Sequence, residues 1–139
     1  MTEEEVKRAT CQVISKDESG TGWLITADRI LTAYHCVMTA AAAGQPVIVR
    51  FGVGSSAIEH MAVMGPHDKD LDVCLLQLSA PLGIEPIPIS VRGLRPGERW
   101  TAFGYPVAKL QLGHVVRGEI QQVLTERVHG VDLDLSIEP

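Results

Sequence analysis

One histidine and one aspartate in this sequence stand where apolar segments can bring them together as a proton-transfer pair. His35 follows the apolar stretch from Gly20 to Ala33, and Asp72 opens the apolar run Asp72-Val-Cys-Leu-Leu-Gln-Leu78. An imidazole titrates near neutral pH, so it can take a proton from a nucleophile and later return it. A carboxylate can hold that imidazole in the required tautomer. We therefore predict that His35 is a general base and that Asp72 orients it.

The sequence offers no obvious nucleophile to complete such a site. Ser55 and Ser56 fall in a predicted turn and lack the Gly-x-Ser-x-Gly surroundings of an activated serine. Ser136 lies in Leu-Ser-Ile-Glu-Pro, which supplies no glycine to open an oxyanion hole. None of these serines is a candidate nucleophile.

The remaining histidines do not predict a metal site. His60, His67, His114 and His129 do not stand at the i, i+4 or paired spacings that zinc sites use, and no acidic cluster accompanies them. We expect no bound metal and no cofactor.

The elements that must position His35 and Asp72 are predicted to be strands. Val, Ile and Leu occur in short runs separated by Gly, Pro, Asp and Ser, a pattern typical of an all-β domain. The segment 81–89 contains three prolines, so it is predicted to be an extended connector. Residues 16–20 are predicted to form a turn, and residues 37–43 a brief helix. The predicted strands are 11–15, 23–26, 30–33, 46–51, 57–64, 71–78, 100–103, 115–123 and 131–137.

Composition and charge exclude several classes of partner. The chain has 139 residues, 45% hydrophobic content and a formal charge of -5, without a run of Lys or Arg that would bind nucleic acid. Its acidic start, Met1 to Arg8, differs from a secretory signal, and no apolar run is long enough to cross a bilayer. Cys11, Cys36 and Cys74 form no Cys-x-x-Cys pair, which favours reduced, buried thiols. We expect a cytoplasmic protein with no nucleic-acid or membrane partner.

Several boxes along the chain resemble trypsin-like serine proteases of the chymotrypsin fold. Thr32-Ala-Tyr-His-Cys36 is similar to the family's Thr/Ser-Ala-Ala-His-Cys box, and the preceding Gly20-Thr-Gly-Trp-Leu-Ile25 resembles the strand before that box in bacterial Htr-type members. Asp72 to Leu78 is similar to the family's Asp-bearing strand. Thr101-Ala-Phe-Gly-Tyr-Pro106 and Val116-Arg-Gly-Glu-Ile120 resemble strands of its second barrel. The boxes occur in the family's order.

The sequence also departs from the family pattern. The Gly-Asp/Asn-Ser-Gly-Gly box, which holds the family's nucleophile and oxyanion-hole amides, is absent, and the resemblance implies that it would follow Pro139. There is no Ile-Val-Gly-Gly start of the kind that digestive trypsins expose. Cys36 lacks the family's disulfide partner, because Gly22 stands near the place of that cysteine. The resemblance therefore favours an intracellular or Htr-like relative.

Two aspartates compete for the orienting role. Asp70 and Asp72 would share one strand face at a period of two. If Asp70 were the orienter, Asp72 would occupy a core position that the family fills with a small apolar residue, which would bury an unpaired charge. With Asp72 as the orienter, that position falls to Cys74. We therefore choose Asp72.

The sequence predicts an all-β, chymotrypsin-like antiparallel barrel followed by the opening strands of a second barrel. The predicted organisation is an N-terminal tail (1–9), a first barrel with His35 and Asp72 (10–90) and an incomplete second barrel (91–139). The resemblance implies part of a serine endopeptidase whose Ser lies beyond residue 139. Its expected partners are a peptide or protein substrate, the remainder of the protease domain or fused domains, and a second copy bound through open strands.

Two other functions remain open from the sequence. One is an inert pseudo-protease or interaction module on the same fold. The other is a small barrel scaffold whose resemblance to proteases is accidental.

Overall fold

The computed structural model describes residues 1–16, 18–89, 95–105, 114–124 and 132–137. The chain divides into two compact units. The first consists of residues 1–88 and 104–114, and the second of residues 89–103 and 115–139.

The first unit is built on a closed barrel of six antiparallel strands. Their order around the barrel is β1-β2-β3-β6-β5-β4, so β3 and β6 are neighbours although they are far apart in the sequence. Closure pairs the backbone groups that an open sheet would leave exposed at its edges. The all-β prediction is confirmed. The strands are β1 (Thr10–Ser15), β2 (Glu18–Leu24), β3 (Arg29–Thr32), β4 (Val47–Phe51), β5 (Ile58–Asp68) and β6 (Val73–Leu78).

The barrel interior is filled by the apolar residues that alternate along the strands. On β6, Cys74, Leu76 and Leu78 are buried, while Val73 on the other face is exposed. Burying one such aliphatic side chain stabilises the fold by about 1.5–3 kcal/mol. The fully buried aliphatic side chains of the core include Val13, Leu24, Ile30, Val47, Val49 and Leu76.

The hairpin of β1 and β2 turns earlier than the sequence predicts. Ser15 pairs with Glu18, so the turn is two residues long, and Lys16 in it has a φ of 37°. Gly20, expected in the turn, lies within β2 instead. Glycine within a strand often marks a close approach of another group. Here a Cβ on Gly20 would lie 2.3 Å from the Sγ of Cys36.

Within the described residues, two short α-helices accompany the barrel. α1 (Glu3–Arg8) lies within residues 1–9, the segment predicted as an N-terminal tail. Thr2 caps it, accepting a hydrogen bond from the backbone N–H of Glu5, whose carboxylate reaches back to Thr2. This capping box, with acidic residues first and basic residues last, stabilises so short a helix. α2 (Met38–Ala42) lies where a brief helix is predicted.

The proline-rich segment 81–89 contains no strand, in agreement with its prediction as a connector. It runs against the barrel, since the N–H of Ile87 donates to the carbonyl of Leu24 at 2.8 Å.

The second unit contains a three-stranded sheet of order β7-β8-β9. Its strands begin and end within about two residues of the predicted ones, though Val131 lies outside the described residues. The division of the chain near residue 90 and self-association through open strands stay predictions. The strands are β7 (Arg99–Gly104), β8 (His114–Leu124) and β9 (Asp132–Ile137). In the part of the chain that the structure describes, no helix is long and apolar enough to span a membrane.

Candidate active site

His35 lies just beyond the end of β3, at one end of the barrel. The strand ends at Thr32, whose buried hydroxyl donates to the carbonyl of Thr21 at 2.8 Å. Ala33 remains extended, and residues 34–36 form a single 3₁₀ turn. This turn places His35 at the surface, where 66% of its side chain is exposed. The ring is therefore accessible from solvent.

Asp72 lies immediately before β6, at the same end of the barrel. Thr32 pairs with Cys74 across β3 and β6. This pairing brings together His35, three positions after Thr32, and Asp72, two positions before Cys74. Asp72 has a φ of 54°, in the left-handed region that Asp adopts more readily than most residues. The barrel topology thus brings together two residues that are 37 positions apart.

The Asp72 carboxylate contacts His35 through both of its oxygens. Oδ2 lies 2.6 Å from the ring Nδ1, and Oδ1 accepts the backbone N–H of His35 at 2.8 Å. The backbone N–H of Tyr34 donates to the Asp72 carbonyl at 3.2 Å. The hydrogen bond with the His35 side chain, and next that from its backbone, hold the pKa of the Asp72 carboxyl below its usual 3.8. The carboxylate therefore stays ionised at neutral pH.

This contact fixes the protonation pattern of the neutral imidazole. An ionised carboxylate can only accept hydrogen bonds, so Nδ1 carries the proton and Nε2 keeps its lone pair. Nε2 lies 3.6 Å from the Sγ of Cys36. Burial, and then the charges of Asp72 and Glu18, raise the pKa of the Cys36 thiol, so the thiol stays protonated and can donate to Nε2. With this protonation pattern, Nε2 is the ring nitrogen that can accept a proton.

The sequence of residues 20–139 matches the family described as trypsin-like peptidase domain. This match covers most of the chain, including both His35 and Asp72. The chain belongs to the trypsin-like peptidase family.

Two solved structures share the fold of this trypsin-like domain. A crystal structure of Deg5 is 18% identical and superposes with a TM-score of 0.71, over 96% of this chain and 71% of Deg5. A serine endoprotease from Yersinia pestis is 21% identical with a TM-score of 0.70, over 86% of this chain. The chain spans 42% of the length of that endoprotease. No match was found among curated protein sequences.

The trypsin-like domain has a glycine beside Cys36, but it is Gly20 and not Gly22. A Cβ on Gly20 would lie 2.3 Å from the Cys36 Sγ, whereas a Cβ on Gly22 would meet Ile30, Val13 and Cys11. The prediction that Gly22 lies near Cys36 was therefore wrong, because Gly20, two residues earlier on β2, occupies that position. All three cysteines are free and buried, as expected from the sequence.

The structure brings the Asp72 carboxylate against the His35 ring, but Asp70 and Asp72 do not lie on one strand as predicted. Residues 70–72 form a turn, so the two aspartates share no strand face. Asp70 instead donates its backbone N–H to the Oδ1 of Asp68 at 2.9 Å. The turn, and not the alternation of a strand, separates the two side chains.

Ser56 and His60, which the sequence excludes as nucleophile and as metal ligand, contact other residues. The Ser56 hydroxyl donates to the carbonyl of Val53 in a 3₁₀ turn, and Ser136 lies on β9. His60 packs edge-on against Phe51. Among the described residues, which do not include His129, no three His, Cys, Asp or Glu side chains are arranged to hold a metal ion.

The structure shows two features of this site that the sequence did not predict. The backbone N–H of His35 is a second anchor for Asp72, and the thiol of Cys36 lies next to Nε2. The position of Cys36 directly after His35 is the one signal that could have drawn attention to this thiol.

Proposed function

We propose that this chain supplies the general base and its orienting carboxylate to a serine endopeptidase that hydrolyses peptide bonds through a Ser-His-Asp triad. The observation that carries the proposal is the two-point contact of Asp72 with His35, at 2.6 Å to Nδ1 and 2.8 Å to the backbone N–H. Membership of the trypsin-like peptidase family supports a peptide or protein as the substrate.

The proposed chemistry follows from the protonation pattern of His35. Nε2 takes the proton of the serine hydroxyl as its oxygen attacks the scissile carbonyl carbon. Asp72 stabilises the imidazolium that forms, and the same Nε2 then protonates the leaving amine. Water hydrolyses the acyl-enzyme by the same base catalysis and regenerates the serine. The exposed ring of His35 supports this role because a substrate can reach it.

The proposed nucleophile is a serine beyond residue 139, together with the amides of its oxyanion hole. None of the serines in the sequence stands in a Gly-Asp/Asn-Ser-Gly-Gly box. Cys36 does not replace it, because its side chain is buried and its raised pKa keeps the thiol protonated. We therefore expect the 139 residues alone to be inactive. The cytoplasmic location stays a prediction.

The test is cleavage of a fluorescent casein by the full-length protein that contains this chain. His35→Ala is expected to abolish cleavage, and Asp72→Asn to lower kcat about 10⁴-fold. Asp70→Asn removes the same charge two residues earlier and is expected to leave cleavage near the wild-type rate. Cleavage that survives His35→Ala would contradict the proposal. A full-length protein that binds peptides without cleaving them would favour an inert interaction module.

A further inference from the structure

The turn that carries Asp72 is closed by its own hydrogen bonds. The Oδ1 of Asp68 accepts the backbone N–H groups of Asp70 at 2.9 Å and Leu71 at 3.1 Å. The N–H of Asp72 donates to the carbonyl of Lys69 at 3.3 Å. These bonds fix the local shape of the turn, but none of them connects it to the segment that carries His35.

Tyr34, the residue before His35, makes that connection through its side chain and its backbone. Its ring stacks on the ring of His67, with centroids 5.0 Å apart and planes 14° from parallel. The ammonium of Lys69 lies 5.9 Å from the centroid of the Tyr34 ring. The backbone N–H of Tyr34 donates to the Asp72 carbonyl. Tyr34 therefore contacts both the start and the end of the turn.

A bulge in the sheet places His67 against Tyr34. The pairing of β5 with β6 shifts between Met64 and His67, so the strand bends there. The Nδ1 of His67 lies 3.2 Å from the carbonyl of Gly65, which further fixes the ring. A Cβ on Gly65 would lie only 3.1 Å from the carbonyl oxygen of Leu75, so a glycine suits this close approach. The orientation of His67 is thus built into the strand.

We propose that Tyr34 and His67 form an aromatic clamp that positions the Asp72 carboxylate against His35. The clamp joins the segment of the base to the turn of its orienting carboxylate, and neither residue touches the reacting atoms. Asp72 has a left-handed backbone conformation that few residues adopt, so contacts outside the turn are needed to keep one orientation. This inference rests on the proposed function, since it takes His35 and Asp72 as base and orienter.

The test is the pKa of the Asp72 carboxyl in the 139-residue chain, measured by ¹³C NMR. That pKa is held down by the hydrogen bonds with His35, so it reports how well the two residues are aligned. Tyr34→Ala and His67→Ala are expected to raise it towards its usual value. Tyr34→Phe and His67→Phe keep a ring for stacking, and we expect them to keep the pKa low.

The chain offers a matched control for a merely structural effect. His60 also packs against an aromatic ring of the barrel, that of Phe51, with centroids 6.4 Å apart. His60→Ala removes a comparable contact that does not involve Asp72, so it is expected to leave the pKa of Asp72 unchanged. Tyr34 also packs against the core, so Tyr34→Ala could fail to fold. In that case His67→Ala decides the outcome, because His67 is exposed.

A parallel His35→Ala variant separates failure of the clamp from failure of the proposed function. If His35→Ala raises the pKa of Asp72 but His67→Ala does not, the pair stands and the clamp is refuted. If His35→Ala leaves that pKa unchanged, the pair itself is not formed, and both proposals fail.

Discussion

Asp72 accepts two hydrogen bonds from one residue, His35, with a separate carboxylate oxygen for the ring and for the backbone N–H. Each oxygen has its own donor, so rotation of the carboxylate would break both bonds. The imidazole and the carboxylate are therefore aligned within the first unit.

The depressed pKa of Asp72 predicts a pH-dependent contribution to stability. The folded chain binds a proton at this carboxyl less readily than the unfolded chain, so the contribution is present above about pH 4. It is lost as the pH falls below the usual 3.8 and through the lower folded pKa. In urea unfolding between pH 6 and pH 2.5, the stability difference between wild type and Asp72→Asn should narrow at the acidic end. A difference that stays constant with pH would contradict this prediction.

The contact of Gly20 with Cys36 predicts strong coupling between the two positions. Gly20→Ala should destabilise the barrel by about 1–3 kcal/mol, because its methyl group would lie 2.3 Å from the Cys36 Sγ. Cys36→Ala removes that sulfur, so the double variant should be more stable than the sum of the single effects predicts. Free energies of unfolding in urea measure this.

Gly22→Ala is the matched control for that cycle. The atoms nearest to its new methyl group would be those of Ile30, Val13 and Cys11, and not the Cys36 sulfur. Its effect should therefore add to that of Cys36→Ala. If the effects of Gly20→Ala and Cys36→Ala on the free energy of unfolding are also additive, the Cys36 sulfur does not lie over Gly20.

Two leucines close to each other in the chain should differ widely in their importance for stability. Leu76 on β6 is fully buried, so Leu76→Ala should cost about 2–5 kcal/mol by removing core contacts and leaving a cavity. Leu71 is 63% exposed, and Leu71→Ala should change stability by about 0.5 kcal/mol or less. Thermal or urea unfolding compares the two. Equal losses would mean that the register of β6 is wrong.

Much of the barrel can be predicted from the sequence because its strands are marked by local patterns. Alternating burial on β6 and the glycine and proline breaks between runs are visible in the residues themselves. The candidate pair could also be predicted, since His35 and Asp72 each adjoin an apolar strand and lie in boxes that resemble the trypsin-like family.

The features that the sequence did not predict depend on contacts between distant residues. The turn before Asp72 is closed by the side chain of Asp68, which removes the strand alternation expected at residues 70–72. Gly20 lies opposite Cys36 because the pairing of β2 with β1 sets where β2 begins. The clamp of Tyr34 on His67 needs both the β3–β6 pairing and the bulge in β5.

We propose that Asp72 fixes His35 as a base with its free lone pair on Nε2. The most direct measurement is ¹⁵N-edited NMR of the His35 ring at a pH where the ring is neutral, in wild type and in Asp72→Asn. We expect a proton on Nδ1 in wild type, and a shift of that proton to Nε2 when an amide replaces the carboxylate. A wild-type ring with its proton on Nε2, or no change in Asp72→Asn, would show that Asp72 does not set the tautomer of His35.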